Sequence, residues 1–222
     1  MMEIKKFDHP VYQKLADYKV ILCSTSPRRK DILAQLGFQF EIAQSHFEEN
    51  LDKSKYSVDE YVRETATGKA KAVWNNLDRR TKTGKILLIA GDTVVESGGK
   101  IYEKPQDYQK NVEMLKELRD SKNAVNVRSG VVLLLGDEKL PDGYQMVRFN
   151  DRTVVEMKND VSDEFIELYC RTGEGLQVAG GFRIQGYGIM MMKGVKGDFY
   201  NGVGLPSTKT FDEICKLLGC VV

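Results

Sequence analysis

Lys85-Ile86-Leu87-Leu88-Ile89-Ala90, fully apolar after its lysine, meets Gly91-Asp92-Thr93, and its length and aliphatic content read as a strand. A second run, Lys19-Val20-Ile21-Leu22-Cys23, is apolar and β-branched, as a buried strand would be. Ser26-Pro27 follows it as an N-cap and a first-turn proline, so a helix is expected over Pro27 to Leu36, closed by Gly37. Arg28 and Arg29 then fall in the first turn, where the helix macrodipole favours anions over cations. An anion supplied from outside the chain would reconcile the two.

The remaining pattern interleaves strands and helices. Phe38 to Ala43 alternates as a strand. Ser57-Val58-Asp59-Glu60 is a capping box that opens a long helix with Val62, Ala66, Ala70 and Val73 on one face, and Lys69 lies on that helix. Gly98-Gly99 makes a hairpin turn, and Asp107 caps a helix reaching Arg119. Strands are expected over 123–135 and 145–158, a helix from Ser162 to Arg171, and a strand from Ile189 to Val195. Asn201 to Pro206 reads as a loop and Ser207 to Leu218 as the last helix, with Met190, Met191 and Met192 as core packing. There is no internal repeat and no linker, so the 222 residues read as one α/β domain, with a core over about 19–219 and an antiparallel portion in the middle.

A formal net charge of +1 supplies no global field to gather nucleic acid or an anionic membrane, so partners must be sought locally. Met1 to Lys6 is charged where a signal peptide would be apolar, and no apolar run spans a bilayer, which points to a cytoplasmic protein. Cys23, Cys170, Cys215 and Cys220 show neither a C-x-x-C pair nor zinc spacing and read as free, mostly buried thiols.

Four places concentrate chemistry. Ser24, Ser26, Arg28 and Arg29 offer hydroxyls and guanidiniums around a helix start that suits phosphate. Asp92-Thr93 sits after an apolar strand, where α/β sheets bind ligands. Glu48 and Glu49 offer the hard oxygens that Mg²⁺ takes together with substrate phosphates, and Lys69 and Lys104 offer point charges. The loop Ala179 to Gly186 presents Gln185 among glycines, and its amide can read a base edge. Taken singly, each has a bland reading: a solvated helix start, a turn aspartate, surface charge, a hinge.

Taken together, STSPRR, AGDTVV, EKP, IQG and GVGLP resemble the motifs of the Maf family of nucleoside triphosphate pyrophosphatases, from about Val20 to Leu218. The resemblance implies an elongated mixed sheet with flanking helices and two lobes around a central cleft, similar to inosine triphosphate pyrophosphatases and often homodimeric. It implies metal-assisted hydrolysis of a nucleoside triphosphate to the monophosphate and pyrophosphate. Asp92 matches the catalytic proton acceptor, Glu49 the acidic residue after the second strand, and Lys69 and Lys104 the two family lysines. Glu49 and Asp92 are then the candidate ligands of Mg²⁺ or Mn²⁺. Arg28, Thr93 and Gln185 match the subgroup acting on dTTP and UTP, with modified pyrimidine nucleotides as further substrates.

Four departures from the family pattern stand out. Ala90-Gly91 inverts the usual Gly-Ala, Gln177 replaces a usual acid, Val178 replaces a usual lysine, and Arg183 replaces a usual glycine and offers a substitute charge. Two other readings compete with the enzyme. One is a nucleotide-binding regulator that keeps the cleft with little catalysis. The other is a nucleic-acid factor using Arg79-Arg80-Thr81-Lys82, a segment that reads better as a solvated face.

Overall fold

The structure, a computed structural model, describes residues 7–82 and 84–222, apart from the side chains of residues 79 and 80. The charged run Met1 to Lys6 and the guanidiniums of the basic segment therefore lie outside the described residues.

In chain order the elements are α1 (Pro10–Leu15), β1 (Lys19–Leu22), α2 (Pro27–Gln35), β2 (Glu41–Ile42), α3 (Val58–Asn76), α4 (Arg79–Lys82), β3 (Ile86–Ser97), β4 (Lys100–Tyr102), α5 (Tyr108–Asp120), β5 (Val125–Gly136), β6 (Tyr144–Met157), α6 (Asp163–Arg171), β7 (Met192–Lys196), α7 (Phe199–Val203) and α8 (Ser207–Leu217). One mixed sheet of seven strands runs in the order β2-β1-β3-β5-β6-β7, with β4 paired to the far end of β3. β1 lies parallel to β2 and β3, whereas β3, β5, β6 and β7 are antiparallel.

Local chemistry sets these boundaries. Ser57 and Glu60 exchange both bonds of the capping box that starts α3, Asp107 accepts from the Lys110 amide, and Ser162 accepts from the Phe165 amide. Gly98 and Gly99, both at positive φ, turn the chain between the paired residues Ser97 and Lys100.

β3, β5 and β6 run for 12, 12 and 14 residues, about twice the usual strand. Their length lets one sheet carry two lobes. In the near half, Leu87, Ile89 and Leu133 pack with Leu33 of α2 and Ile214 of α8, while Ile86, Leu88 and Leu134 pack on the opposite face against Ala66, Ala70 and Trp74 of α3. In the far half, Val95, Val127 and Val155 pack with Leu115 of α5 and Ile166 of α6. β1 stops at Leu22 opposite Ile89 and the pairing with β4 starts at Val95, opposite Tyr102, so between them the edge of β3 carries no neighbouring strand on that side. The cleft opens at this gap.

Several boundaries differ from the sequence expectation. The strand expected over Phe38 to Ala43 shrinks to Glu41–Ile42, because β1 offers it only Ile21 and Leu22 to pair with; Phe38 instead enters the core beside Tyr12. A 3-10 turn over Tyr187–Met191 displaces the expected strand to Met192–Lys196, which leaves Met190 exposed while Met191 and Met192 are buried. The first half of the expected loop Asn201 to Pro206 belongs instead to helix α7, started by the Asp198 carboxylate on two amides and stopped by Gly204 at φ 139°. α1, capped by His9 with Pro10 in its first turn, was not anticipated. Ser26 occupies the N-cap position of α2 but makes no capping bond; its amide instead donates to Ser24 Oγ.

All four thiols are free, and burial pushes Cys23 up to about 12 and Cys170 up to about 11. At pH 8, Ellman's reagent is therefore expected to reach the half-buried Cys220 in native protein and the other three only after denaturation. Rapid native labelling of Cys23, read by mass spectrometry, would contradict this packing.

Candidate active site

The cleft has a volume of about 830 Å³, within the range of small-molecule sites, and its lining includes Ser24, Ser26, Arg28, Arg29, Glu49, Lys69, Asp92, Thr93, Lys104 and Gln185. These ten residues singled out from the sequence thus reach one hollow, and Arg28 and Asp92 line it together. Glu48 does not line it.

Asp92 is not at a strand end, as the sequence suggested, but in the middle of β3. Val94 and Val95 continue the strand and β5 pairs with it throughout, so the polar pair does not break it. Successive side chains point to opposite faces. Asp92 falls on the α3 face with Leu88 and Ala90, and Thr93 on the α2 face with Leu87 and Ile89.

On the α3 face, Lys69 Nζ lies 2.8 Å from Asp92 Oδ1 and 2.9 Å from Glu49 Oε1. The lysine and the aspartate are buried, whereas the Glu49 side chain remains half exposed. A buried aspartate in a strand is tolerable only with such a partner. Two glycines bring the partners in. Gly130, opposite Asp92 on β5, has its missing Cβ position 2.5 Å from the backbone of Val62 and Arg63, so α3 lies directly on the sheet. Gly68, just before the lysine, leaves room for the Phe47 ring, which would be 2.3 Å from an added Cβ. Phe47 thereby anchors on α3 the loop that carries Glu49, and this explains a glycine inside a 19-residue helix, where it would otherwise cost about 1 kcal/mol. A glycine interrupting a helical pattern was the sequence signal for this contact, and it was missed.

On the α2 face, Arg29 is buried and wired three ways. Its Nε donates to the Gly204 carbonyl at 2.9 Å, its Nη1 to Ser24 Oγ at 3.2 Å and its Nη2 to Thr93 Oγ1 at 3.1 Å. Thr93 also donates to the Gly204 carbonyl and bonds Ser129 Oγ, so its one proton and its lone pairs are engaged. Its hydroxyl therefore shapes the site through Arg29. Gly91 lets the guanidinium cross β3: an alanine Cβ there would lie 3.3 Å from Nε and shift it by a few tenths of an ångström, so the inverted Ala90-Gly91 order is sterically mild. Burial pushes Arg29 below the usual arginine range, and Asp92 and Glu49 pull it back up. Arg28 is half-buried; burial and then the guanidiniums of Arg29 and Arg183 push it down. Lys104 and Gln185 stand exposed at the rim.

The arrangement places buried cations around a hollow that also presents a carboxylate held by a lysine. Such a site can bind a polyanion and accept a proton beside it. Among the described residues no group of three or more His, Cys, Asp and Glu side chains is arranged to hold a metal ion. Glu49 and Asp92 do supply two hard oxygen donors at one place, the number Mg²⁺ commonly takes from protein when phosphate oxygens complete its shell.

A family model described as Maf-like protein matches residues 19–217. The dTTP/UTP pyrophosphatase of Schizosaccharomyces pombe is 39% identical over 204 residues, covering 90% of this chain and 84% of that protein. The dTTP/UTP pyrophosphatase of Saccharomyces cerevisiae is 36% identical over 211 residues, covering 87% and 88%. The solved structure of the Staphylococcus aureus Ham1 protein superposes on 64% of this chain and 72% of its own at TM-score 0.41, with 13% identity.

Proposed function

The chain belongs to the Maf family, and on that premise we propose that it hydrolyses dTTP and UTP, and modified pyrimidine triphosphates of the same shape, to the nucleoside monophosphate and pyrophosphate. The observation that carries the reading is the meeting of the Lys69–Asp92–Glu49 cluster with Arg28 and Arg29 in one cleft of nucleotide size.

Asp92 gives Oδ1 to Lys69 and keeps Oδ2 to orient a water and take its proton. That water attacks the α-phosphorus; the new P–O bond replaces the bond to the bridging oxygen, and pyrophosphate leaves with that electron pair. Lys69 fixes the carboxylate, and Arg29, held rigidly by three bonds, presents positive charge where phosphoryl charge accumulates. No side chain need bond covalently to the substrate. Ser24 and Ser26 line the phosphate side and Lys104 adds a mobile cation from the rim. Gln185 suits the base edge, and Arg28 and Thr93 complete the set matching the pyrimidine subgroup. Glu49 and Asp92 would hold Mg²⁺ or Mn²⁺, which when bound supplies Lewis-acid polarisation of phosphoryl oxygens.

The test is pyrophosphate release from a panel of natural and modified triphosphates with Mg²⁺ or Mn²⁺. Preference for dTTP and UTP is expected; purine preference, or no release from any triphosphate, would sink the reading. The homodimer is carried by the resemblance, and sedimentation at micromolar concentration tests it.

The Phe47 anchor makes a further expectation. Gly68→Ala should displace the ring and, with it, Glu49, lowering kcat/KM about ten- to a hundredfold. Unchanged steady-state kinetics in a folded Gly68→Ala protein would show that the loop does not depend on this contact.

A further inference from the structure

Arg28 and Arg183 both line the cleft, and neither makes an ion pair or a side-chain hydrogen bond among the described residues. Other arginines of the chain differ: Arg119, Arg128 and Arg148 each lie against a carboxylate. Arg183 is also not a loose surface residue. Its amide donates to the Tyr169 hydroxyl at 3.1 Å, Phe182 and Ile184 on either side of it are core residues, and Gly188 packs so closely on its backbone that an added Cβ would lie 2.5 Å from the Arg183 carbonyl oxygen. Its Nε is buried without a partner. Arg63 Nε and Arg128 Nε are buried in the same way, but those guanidiniums are engaged through Nη1, by Asn150 and Asp59, whereas nothing among the described residues accepts from the Arg183 guanidinium. A desolvated guanidinium with nothing to donate to is costly, and a bound anion would offset that cost.

We propose that Arg183 acts with Arg28 as a two-guanidinium clamp on the outer two phosphates of the substrate, the pair that leaves as pyrophosphate. The proposal rests on the reading of the cleft as a triphosphate site and adds to it a residue and a direction.

The direction follows from where the carboxylates sit. Lys69 gathers Asp92 and Glu49 within 2.9 Å of one nitrogen, whereas among the described residues no carboxylate comes within ion-pairing distance of Arg28 or Arg183, whose charges repel each other. The cleft thus runs from the carboxylates, where water attacks the α-phosphorus, past Arg29 to the unpaired guanidiniums of Arg28 and Arg183. A neutral pyrimidine at that end could accept a hydrogen bond but could not offset the repulsion between the two cations. A pyrophosphate does both, and guanidinium forks match its oxygens in pairs.

Calorimetric titration of the wild type, Arg183→Gln and Arg183→Lys with inorganic pyrophosphate and with UMP, in Mg²⁺ buffer and with folding checked by thermal melting, tests the clamp. Arg183→Gln is expected to weaken pyrophosphate at least tenfold and UMP less than twofold, with Arg183→Lys recovering part of the loss. Raised salt should narrow the gap between wild type and Arg183→Gln. Unchanged pyrophosphate affinity in Arg183→Gln, equal weakening of both ligands, or no measurable pyrophosphate binding by the wild type would each overturn the clamp. A wild type that binds pyrophosphate through Arg183 yet releases none from any triphosphate would leave the clamp standing and remove the proposed activity, so the two can fail separately.

Discussion

Asp92→Asn is expected to lower kcat for triphosphate hydrolysis by about a thousandfold while leaving the fold in place, the middle of the range for loss of a positioned general base. The size of the side chain is kept, and an asparagine Oδ1 can still accept from Lys69 Nζ, which lies 2.8 Å from the present carboxylate. Removing one partner of a buried ion pair is ordinarily strongly destabilising, because it strands the other charge. Here Lys69 is not stranded, since Glu49 lies 2.9 Å from the same nitrogen. Stability and chemistry should therefore separate. Pyrophosphate release measured beside thermal melting gives both, and an Asp92→Asn protein turning over at the wild-type rate would disprove the assigned proton acceptor.

Where the signal was local, the sequence carried it to within a residue or two. The capping box at Ser57, the double glycine at 98–99 and the Asp107 cap each act within four residues of themselves, and each lies where it was expected. What the sequence could not show depended on partners far along the chain. β2 is two residues long because β1 gives it little to pair with, which no pattern between Phe38 and Ala43 records. Gly91-Asp92 looks like the end of a strand until Lys69, from a different element, satisfies the carboxylate and β5 keeps pairing beyond it.

The candidate site shows the same division. Its residue types and motif order brought ten side chains to one cleft, yet the split of Asp92 and Thr93 onto opposite faces changes what each can do. Strand alternation alone would have given that split had the strand been extended through Val94-Val95. Gly130 and Gly204 act through what their backbones permit: one admits α3 against the sheet, and the other offers a carbonyl shared by Arg29 and Thr93. A sequence read for side-chain chemistry passes over both.

Arg29→Met should separate function from folding most sharply. Arg29 is 8% exposed and makes three hydrogen bonds, which ordinarily marks a residue the fold needs. Each of its acceptors, however, has a second partner: the Gly204 carbonyl keeps the Thr93 hydroxyl, Ser24 Oγ keeps the Ser26 amide, and Thr93 keeps Ser129. Removing the guanidinium therefore orphans none of them, and it also removes a buried cation that no carboxylate of the described residues approaches within ion-pairing distance. Replacing a buried charge with an apolar side chain of similar volume is often neutral or stabilising, and methionine fills irregular space well. The melting midpoint of Arg29→Met without ligand is expected to match or exceed the wild type, while turnover falls about a hundredfold or more. Ligand response should report the same asymmetry. Saturation at a hundred times Kd stabilises the wild type by about 2.7 kcal/mol, and at that same concentration a variant with weakened anion binding gains much less. If Arg29→Met instead melts well below the wild type while its folded fraction keeps full activity, the guanidinium serves the fold, and the case for a cation held ready for an incoming phosphate fails at its centre.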